Sequence, residues 1–214
     1  MSLKIISLSG LLNSYDESIP GDKTRVEEET KALLKTFKSI SISGSDLQHD
    51  VEGFLHNKAI EFDKSDFSKT HLIFSSYQGN DVLVGYFSIA NKPLIFTKKQ
   101  MQRFTKSLQK RIKRKSSNHS ELTDNYLISA YLIGQIGKNF SDEALKTKTI
   151  NGKVLLTLSY DAIKEAQSLT GGSFIWLEYE DVEKLRDMYS QFGFSEVDNY
   201  TSPTGLKMAF MPIK

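Results

Sequence analysis

The sequence predicts a mixed α/β domain, α+β in the order of its elements, built on one mainly antiparallel sheet flanked by helices. Three observations carry that class. Thr70–Tyr77 and Val82–Ala90 are two strand-like runs around Gln78-Gly79-Asn80-Asp81, a hairpin signal. Tyr126–Gly137 (YLISAYLIGQIG) is a long apolar run rich in β-branched and aromatic residues, the composition of a central strand buried on both faces. Gly171–Phe194 reads as a short buried strand followed at once by an amphipathic helix.

The remaining elements follow in order. Residues 3–12 read as a strand with its ending turn: the apolar run there is too short, and too broken by Ser7, Ser9 and Gly10, for a signal peptide. Residues 13–24 form a loop around Pro20-Gly21. Arg25–Phe37 is a helix, with Val26, Leu33, Leu34 and Phe37 apolar, acids first and lysines last. Ser39–Ser45 alternates Ser and Ile as a short strand. Asp46–Phe62 is a helix with Leu47, Val51, Phe54, Leu55 and Ala59 on one face. Leu94–Thr97 prolongs the hairpin's second strand beyond Pro93. Residues 138–151 form a polar loop and Gly152–Ser168 a helix ended by Gly171-Gly172. Glu196–Thr201 and Leu206–Pro212 close the fold as a hairpin.

Residues 98–125 interrupt the α/β rhythm. KKQMQRFTKSLQKRIKRK carries nine cations and no acid, with Met101, Phe104, Leu108 and Ile112 at helical spacing. This predicts a basic amphipathic helix, then a polar loop, as an insertion within a single domain spanning residues 1–214. Three readings of it stay open: a solvated helix packed on the sheet, an RNA-backbone surface, or a dimer contact.

Bulk composition excludes little. Of the 214 residues, 39% are hydrophobic and 25% charged, as in ordinary globular proteins. The net charge of +2 by itself implies neither a nucleic-acid nor a membrane partner. The absence of cysteine excludes disulfides, Cys-ligated zinc and a thiol nucleophile. No apolar stretch approaches the roughly 18 residues of a membrane span. His49, His56, His71 and His119 are scattered without metal spacing, and no Ser-His-Asp pattern or P-loop is present. A cytoplasmic protein without a metal is expected.

Three local phrases carry a family resemblance. They are Asp50-Val51-Glu52-Gly53-Phe54-Leu55 with Lys69-Thr70, then Leu132-Ile133-Gly134-Gln135-Ile136-Gly137-Lys138-Asn139, and finally the strand and helix ending Met188-Tyr189-Ser190-Gln191-Phe192-Gly193-Phe194. Together with the element order they resemble, over most of residues 39–212, the GNAT superfamily of N-acetyltransferases. The subgroup they resemble includes the acetyltransferase toxins of toxin–antitoxin modules. The resemblance implies a twisted sheet of about six to seven strands and acetyl-CoA as co-substrate. It implies direct acetyl transfer to a primary amine, with the amino group of an aminoacyl-tRNA as an acceptor. An antitoxin and a second copy of the chain are the further partners it implies.

The same resemblance assigns roles. Ile136, Gly137 and Lys138 match the strand exit whose backbone bonds the pantetheine arm. Tyr189 matches the tyrosine whose hydroxyl protonates the leaving thiolate. The phosphate-binding phrase, usually Gln/Arg-x-x-Gly-x-Gly/Ala, aligns with Thr147-Lys148-Thr149-Ile150-Asn151-Gly152. There the last glycine is present, the first is Ile150, and the Gln/Arg is missing. Lys148, Thr149, Asn151, Gly152 and Lys153 are the candidate pyrophosphate contacts. An ordinary loop before a helix would read the same way. Glu178 shares a strand face with Phe174 and Trp176 and is a candidate acceptor for the amine proton, or a rim glutamate. The departure at Ile150 keeps an alternative open, a non-catalytic binding or regulatory protein of this fold that uses its basic helix on RNA.

Overall fold

A computed structural model of the chain describes residues 3–40, 50–117, 125–197 and 200–214. In chain order these form β1 (Leu3–Ser7), α1 (Leu8–Leu12), α2 (Asp22–Lys35), α3 (Asp50–Asn57), α4 (Ala59–Lys64), β2 (Lys69–Tyr77) and β3 (Asn80–Asn91). Next come β4 (Leu94–Thr97), α5 (Lys98–Met101), α6 (Lys106–Lys115), β5 (Ser116–Ser117), β6 (Asn125–Ile128) and β7 (Ala130–Lys138). The chain ends with α7 (Asp142–Thr147), α8 (Gly152–Thr170), β8 (Phe174–Tyr179), α9 (Glu183–Phe192), β9 (Ser195–Glu196) and β10 (Lys207–Pro212). A seven-stranded sheet has the order β1-β2-β3-β7-β8-β10-β9, and β4-β6-β5 form a second, three-stranded sheet. β1–β2, β2–β3, β4–β6, β5–β6, β8–β10 and β9–β10 pair antiparallel, and β7 pairs parallel with β8. This is the mixed class, with the strand number, that the sequence predicts.

The chain divides into two compact units, residues 1–89 with 134–159, and residues 90–133 with 160–214. In the first, β1 pairs with β2 from Leu3↔Ser75 to Ser7↔His71, and β2 with β3 from Lys69↔Ile89 to Tyr77↔Asn80 with a register shift between Ile73 and Phe74. The β2–β3 connection is the two-residue loop Gln78-Gly79, both at positive φ (51° and 83°), the geometry whose twist suits a hairpin. Leu8, Leu34, Phe37, Leu55, Leu72 and Tyr86 form its core. Asn139 is a buried hub just past β7. Its side chain donates to the Leu83 carbonyl at 2.7 Å and accepts from the Lys38 and Ser141 N–H groups.

In the second unit, Leu94, Phe96, Ile112, Ile128, Phe174, Trp176 and Phe210 form the core. Phe96 of β4 and Phe104 of the inserted segment bring their rings to Phe210 at 5.1 and 5.5 Å. Trp176 donates its indole N–H to the Lys92 carbonyl at 3.0 Å, as a buried indole needs.

Several element expectations are corrected. The first strand stops at Ser7, because the Ser7 hydroxyl accepts from the Gly10 N–H at 3.0 Å and starts α1, an N-cap the strand reading overlooks. The helix expected over 46–62 is two helices, α3 and α4, broken at Lys58 (φ −124°). Leu94–Thr97 does not prolong β3 but pairs with β6 in the second sheet. The apolar run 126–137 is not one doubly buried strand. It breaks at Ser129 into β6 and β7, Gly134 is exposed, and Leu132 and Ile136 are half-buried. The basic helix is also split: Thr97 caps α5 with a Gln100 capping box and Thr105 caps α6. The loop 138–151 contains α7, capped by Ser141. Leu47, His49, His119, most of the expected strand 39–45 and part of the strand 196–201 lie outside the described residues.

Candidate active site

The candidate cofactor residues all belong to the first unit. Ile136, Gly137 and Lys138 end β7, where Gly137 is buried and its neighbours half-buried. The β7–β8 ladder covers only Ala130↔Phe174, Tyr131↔Ile175 and Leu132↔Trp176. The strands themselves are nine and six residues long. Pairing between them therefore stops early, and the end of β7 has no partner in β8. Gly137 is a glycine for a packing reason: a β-carbon there would lie 2.5 Å from Val51 Cγ1 and 3.0 Å from Phe37 Cζ.

The segment 148–153 leads into α8. Lys148 sits in the left-handed region (φ 53°). Lys148 and Lys153 are exposed, and no carboxylate among the described residues pairs with either. Thr149 shares a hydroxyl contact with Thr147 at 3.0 Å. The Asn151 side chain is already engaged: its Oδ1 accepts the Val154 N–H at 3.0 Å as the N-cap of this 19-residue helix. The N–H groups of Gly152 and Lys153 remain, without partners inside the helix, where the dipole favours an anion.

Ile150 stands where the phosphate phrase has its first glycine, and its side chain is buried. A β-carbon at Gly85 of β3 would lie 2.9 Å from the Gly137 carbonyl oxygen and 3.2 Å from Ile150 Cδ1. The end of β7 and the segment before α8 thus converge on one point, the bare α-carbon of Gly85. Ile150 turns inward to fill the room there and does not project over the helix start.

The catalytic candidates belong to the second unit. Tyr189 lies in the last turn of α9 and is 6% exposed. Gly193, at φ 116°, lets the chain leave the helix while the Gly193 and Phe194 N–H groups both donate to the Tyr189 carbonyl. The phenol ring packs on Tyr179 at 5.1 Å and Phe194 at 5.8 Å. Among the described residues nothing hydrogen-bonds its hydroxyl. Burial pushes the phenol up to about 12, because the charged form loses hydration.

Glu178 accepts a 2.6 Å hydrogen bond from the Tyr200 hydroxyl. Burial, then this bond, pushes the Tyr200 phenol up to about 12. Strand alternation puts Glu178 on the Phe174–Trp176 face of β8 and Tyr179 on the other, so Glu178 and Tyr189 do not touch. Sequence reasoning missed Tyr200. It also missed the Tyr179 anchor: the Tyr179 hydroxyl donates to Glu196 at 2.5 Å, and Arg186 pairs with both Glu196 and Asp181. Short-range patterns carry no signal for such contacts; only the hairpin expected over 196–212 brings Tyr200 and Glu196 back toward β8. Among the described residues no group of three or more His, Asp or Glu side chains is placed to hold a metal ion, and no helix is long and apolar enough to cross a membrane.

A mainly antiparallel seven-stranded sheet with one short parallel ladder, and a tyrosine-bearing helix between β8 and β9, define a fold that solved toxin structures share. Among solved structures, the toxin AtaT complexed with acetyl-methionyl-tRNA is similar at TM-score 0.59 and 14% identity, over 99% of this chain and 95% of that one. A tyrosine-to-phenylalanine mutant of KacT is similar at TM-score 0.57 and 13% identity, over 100% and 96%. A tyrosine-to-phenylalanine mutant of AtaT, bound to the C-terminus of the antitoxin AtaR and acetyl-CoA, is similar at TM-score 0.55 and 12% identity, over 99% and 93%. No protein-family model and no curated protein matches the sequence.

Proposed function

We propose that this chain is an N-acetyltransferase that moves acetyl from acetyl-CoA directly onto a primary amine, the preferred acceptor being the α-amino group of an aminoacyl-tRNA. The observation that carries the reading is the fold shared along nearly the whole chain with toxins solved with acetyl-CoA and with acetyl-methionyl-tRNA. Residues present fit the co-substrate. Lys148, Lys153 and the N–H groups at the start of α8 that lack partners within the helix form a candidate anion-binding set.

Acetyl-CoA supplies a thioester whose carbonyl carbon accepts the amine lone pair. The N–H groups at the end of β7 are proposed to hold the pantetheine arm and the developing oxyanion. Tyr189, protonated throughout the neutral range, donates to the departing sulfur as the C–S bond breaks. Its raised pKa makes it a weaker acid than an ordinary tyrosine, so it keeps its proton and stabilises the sulfur charge by a hydrogen bond, while the departing thiolate takes its proton from solvent. The proton released from the new ammonium passes to solvent, because Glu178 lies on the face of β8 opposite the Tyr179 side against which Tyr189 packs. The balance is one amide formed, one thioester cleaved and one thiol released.

The test is thiol release from acetyl-CoA with charged tRNA as acceptor. Tyr189→Phe is expected to lower kcat by about 10²–10⁴-fold while leaving acetyl-CoA affinity, read by calorimetry, within about twofold. Unchanged turnover would remove Tyr189 from the mechanism. Absence of acetyl-CoA binding in the wild type would remove the whole reading.

A further inference from the structure

We propose that α6 is an RNA-docking surface that holds the backbone of the acceptor. This rests on the aminoacyl-tRNA reading above and names the surface that would grip that substrate. In ten residues, about 15 Å of helix, α6 carries Lys106, Lys110, Arg111, Lys113, Arg114 and Lys115 and no acid. Ile112 is fully buried, and Leu108 packs against the same core together with Met101 and Phe104 just before the helix. That packing fixes the roll of the helix. Lys106, Lys110, Lys113, Arg114 and Lys115 are exposed and Arg111 is half-exposed.

None of these six cations pairs with a carboxylate among the described residues. The contrast with α2 is direct: there Arg25 pairs with Asp22 and Glu29, and Lys31 with Glu27 and Glu28. Residues 98–115 carry nine cations while the whole chain carries only +2, so the rest of the molecule is net acidic. Six of these cations sit on α6, and among the described residues none of the six has a carboxylate partner.

The partner is therefore a polyanion, and the geometry selects among polyanions. A helix that lies on a membrane needs a free apolar face to insert, and the apolar side of α6 is already spent in the protein core. A charged backbone needs only exposed cations, each releasing a condensed counter-ion on contact. Folded RNA is gripped largely through its backbone and shape, which matches a surface of lysine and arginine with no exposed aromatic among them.

The experiment compares the full chain with a quadruple variant, Lys106→Ala, Lys110→Ala, Lys113→Ala and Arg114→Ala. Binding of deacylated tRNA is followed by fluorescence anisotropy across a salt series. The expected result is a loss of at least about tenfold in affinity at low salt. The slope of log K against log salt should become shallower by about one for each phosphate contact removed. Replacing the three lysines by arginine should restore both, which separates lost charge from lost folding. Acetyl-CoA binding by calorimetry is read in parallel, so failure of the enzymatic reading is visible as loss of that signal alone. Wild-type and quadruple variant binding tRNA alike would overturn the proposal. So would a wild type that binds acetyl-CoA but no tRNA, or one that binds anionic phosphatidylserine vesicles in preference to tRNA.

Discussion

Gly137 shows how one residue can be read correctly in place and incompletely in purpose. Its position at the end of the central strand is legible from the phrase Ile136-Gly137-Lys138. Its reason is not, because the atoms that exclude a side chain belong to Val51 and Phe37, far away in sequence. Gly137→Ala forces a methyl group to within 2.5 Å of Val51 Cγ1, an overpacking that costs about 1–3 kcal/mol. Urea unfolding should show that loss, and an unshifted midpoint would mean that α3 gives way freely. Asn151 is the converse: an expected phosphate contact that first serves as a helix cap. Glu178 is legible as a strand residue on the Trp176 face, but Tyr200, its hydrogen-bond partner, is reached only through tertiary folding.

Elements were legible where one period ran uninterrupted. The β2–β3 hairpin, α8, β8 and α9 all fall within a few residues of their sequence boundaries. They fail where a single capping side chain redirects the chain, as Ser7, Thr105 and Ser141 do, because apolar periodicity is blind to such local bonds. The inserted segment is the clearest case. Its apolar spacing predicts helix, which is right for α5 and α6, yet nothing local reveals that β4, β5 and β6 form their own sheet. That sheet and α6 depend on aromatic contacts with the main sheet. Phe210, 1% exposed, touches Phe96, Phe104 and Phe174. Phe210→Ala should destabilise this unit by about 3–5 kcal/mol, measured as a fall in the midpoint of near-ultraviolet circular dichroism on urea unfolding. A midpoint within 0.5 kcal/mol of the wild type would show that the insertion is held by other contacts.

At the scale of the whole molecule, the fold class was set by element order, whereas the distribution of charge and of buried phenols appears only in three dimensions. Tyr86, Tyr179, Tyr189 and Tyr200 all have their pKa raised, burial being the first cause in each. The sign follows directly. A phenol that ionises less readily folded than unfolded contributes stability that is complete below the unfolded value of about 10. That contribution is lost as pH climbs through the folded values, about 12 for Tyr189 and Tyr200. Unfolding free energy should hold level with respect to these groups up to pH 10 and then decline. Tyr189→Phe should decline less steeply over the same window; identical slopes would mean that this phenol ionises as easily folded as unfolded. The meeting of Gly137 and Ile150 at Gly85 has a consequence of another kind. The segment before α8 and the interior of the first unit share one volume at Gly85, so the size of Ile150 and the packing of that interior constrain each other. Replacing Ile150 by glycine would empty space beside Gly85 and Leu155 that a larger neighbouring side chain would have to refill.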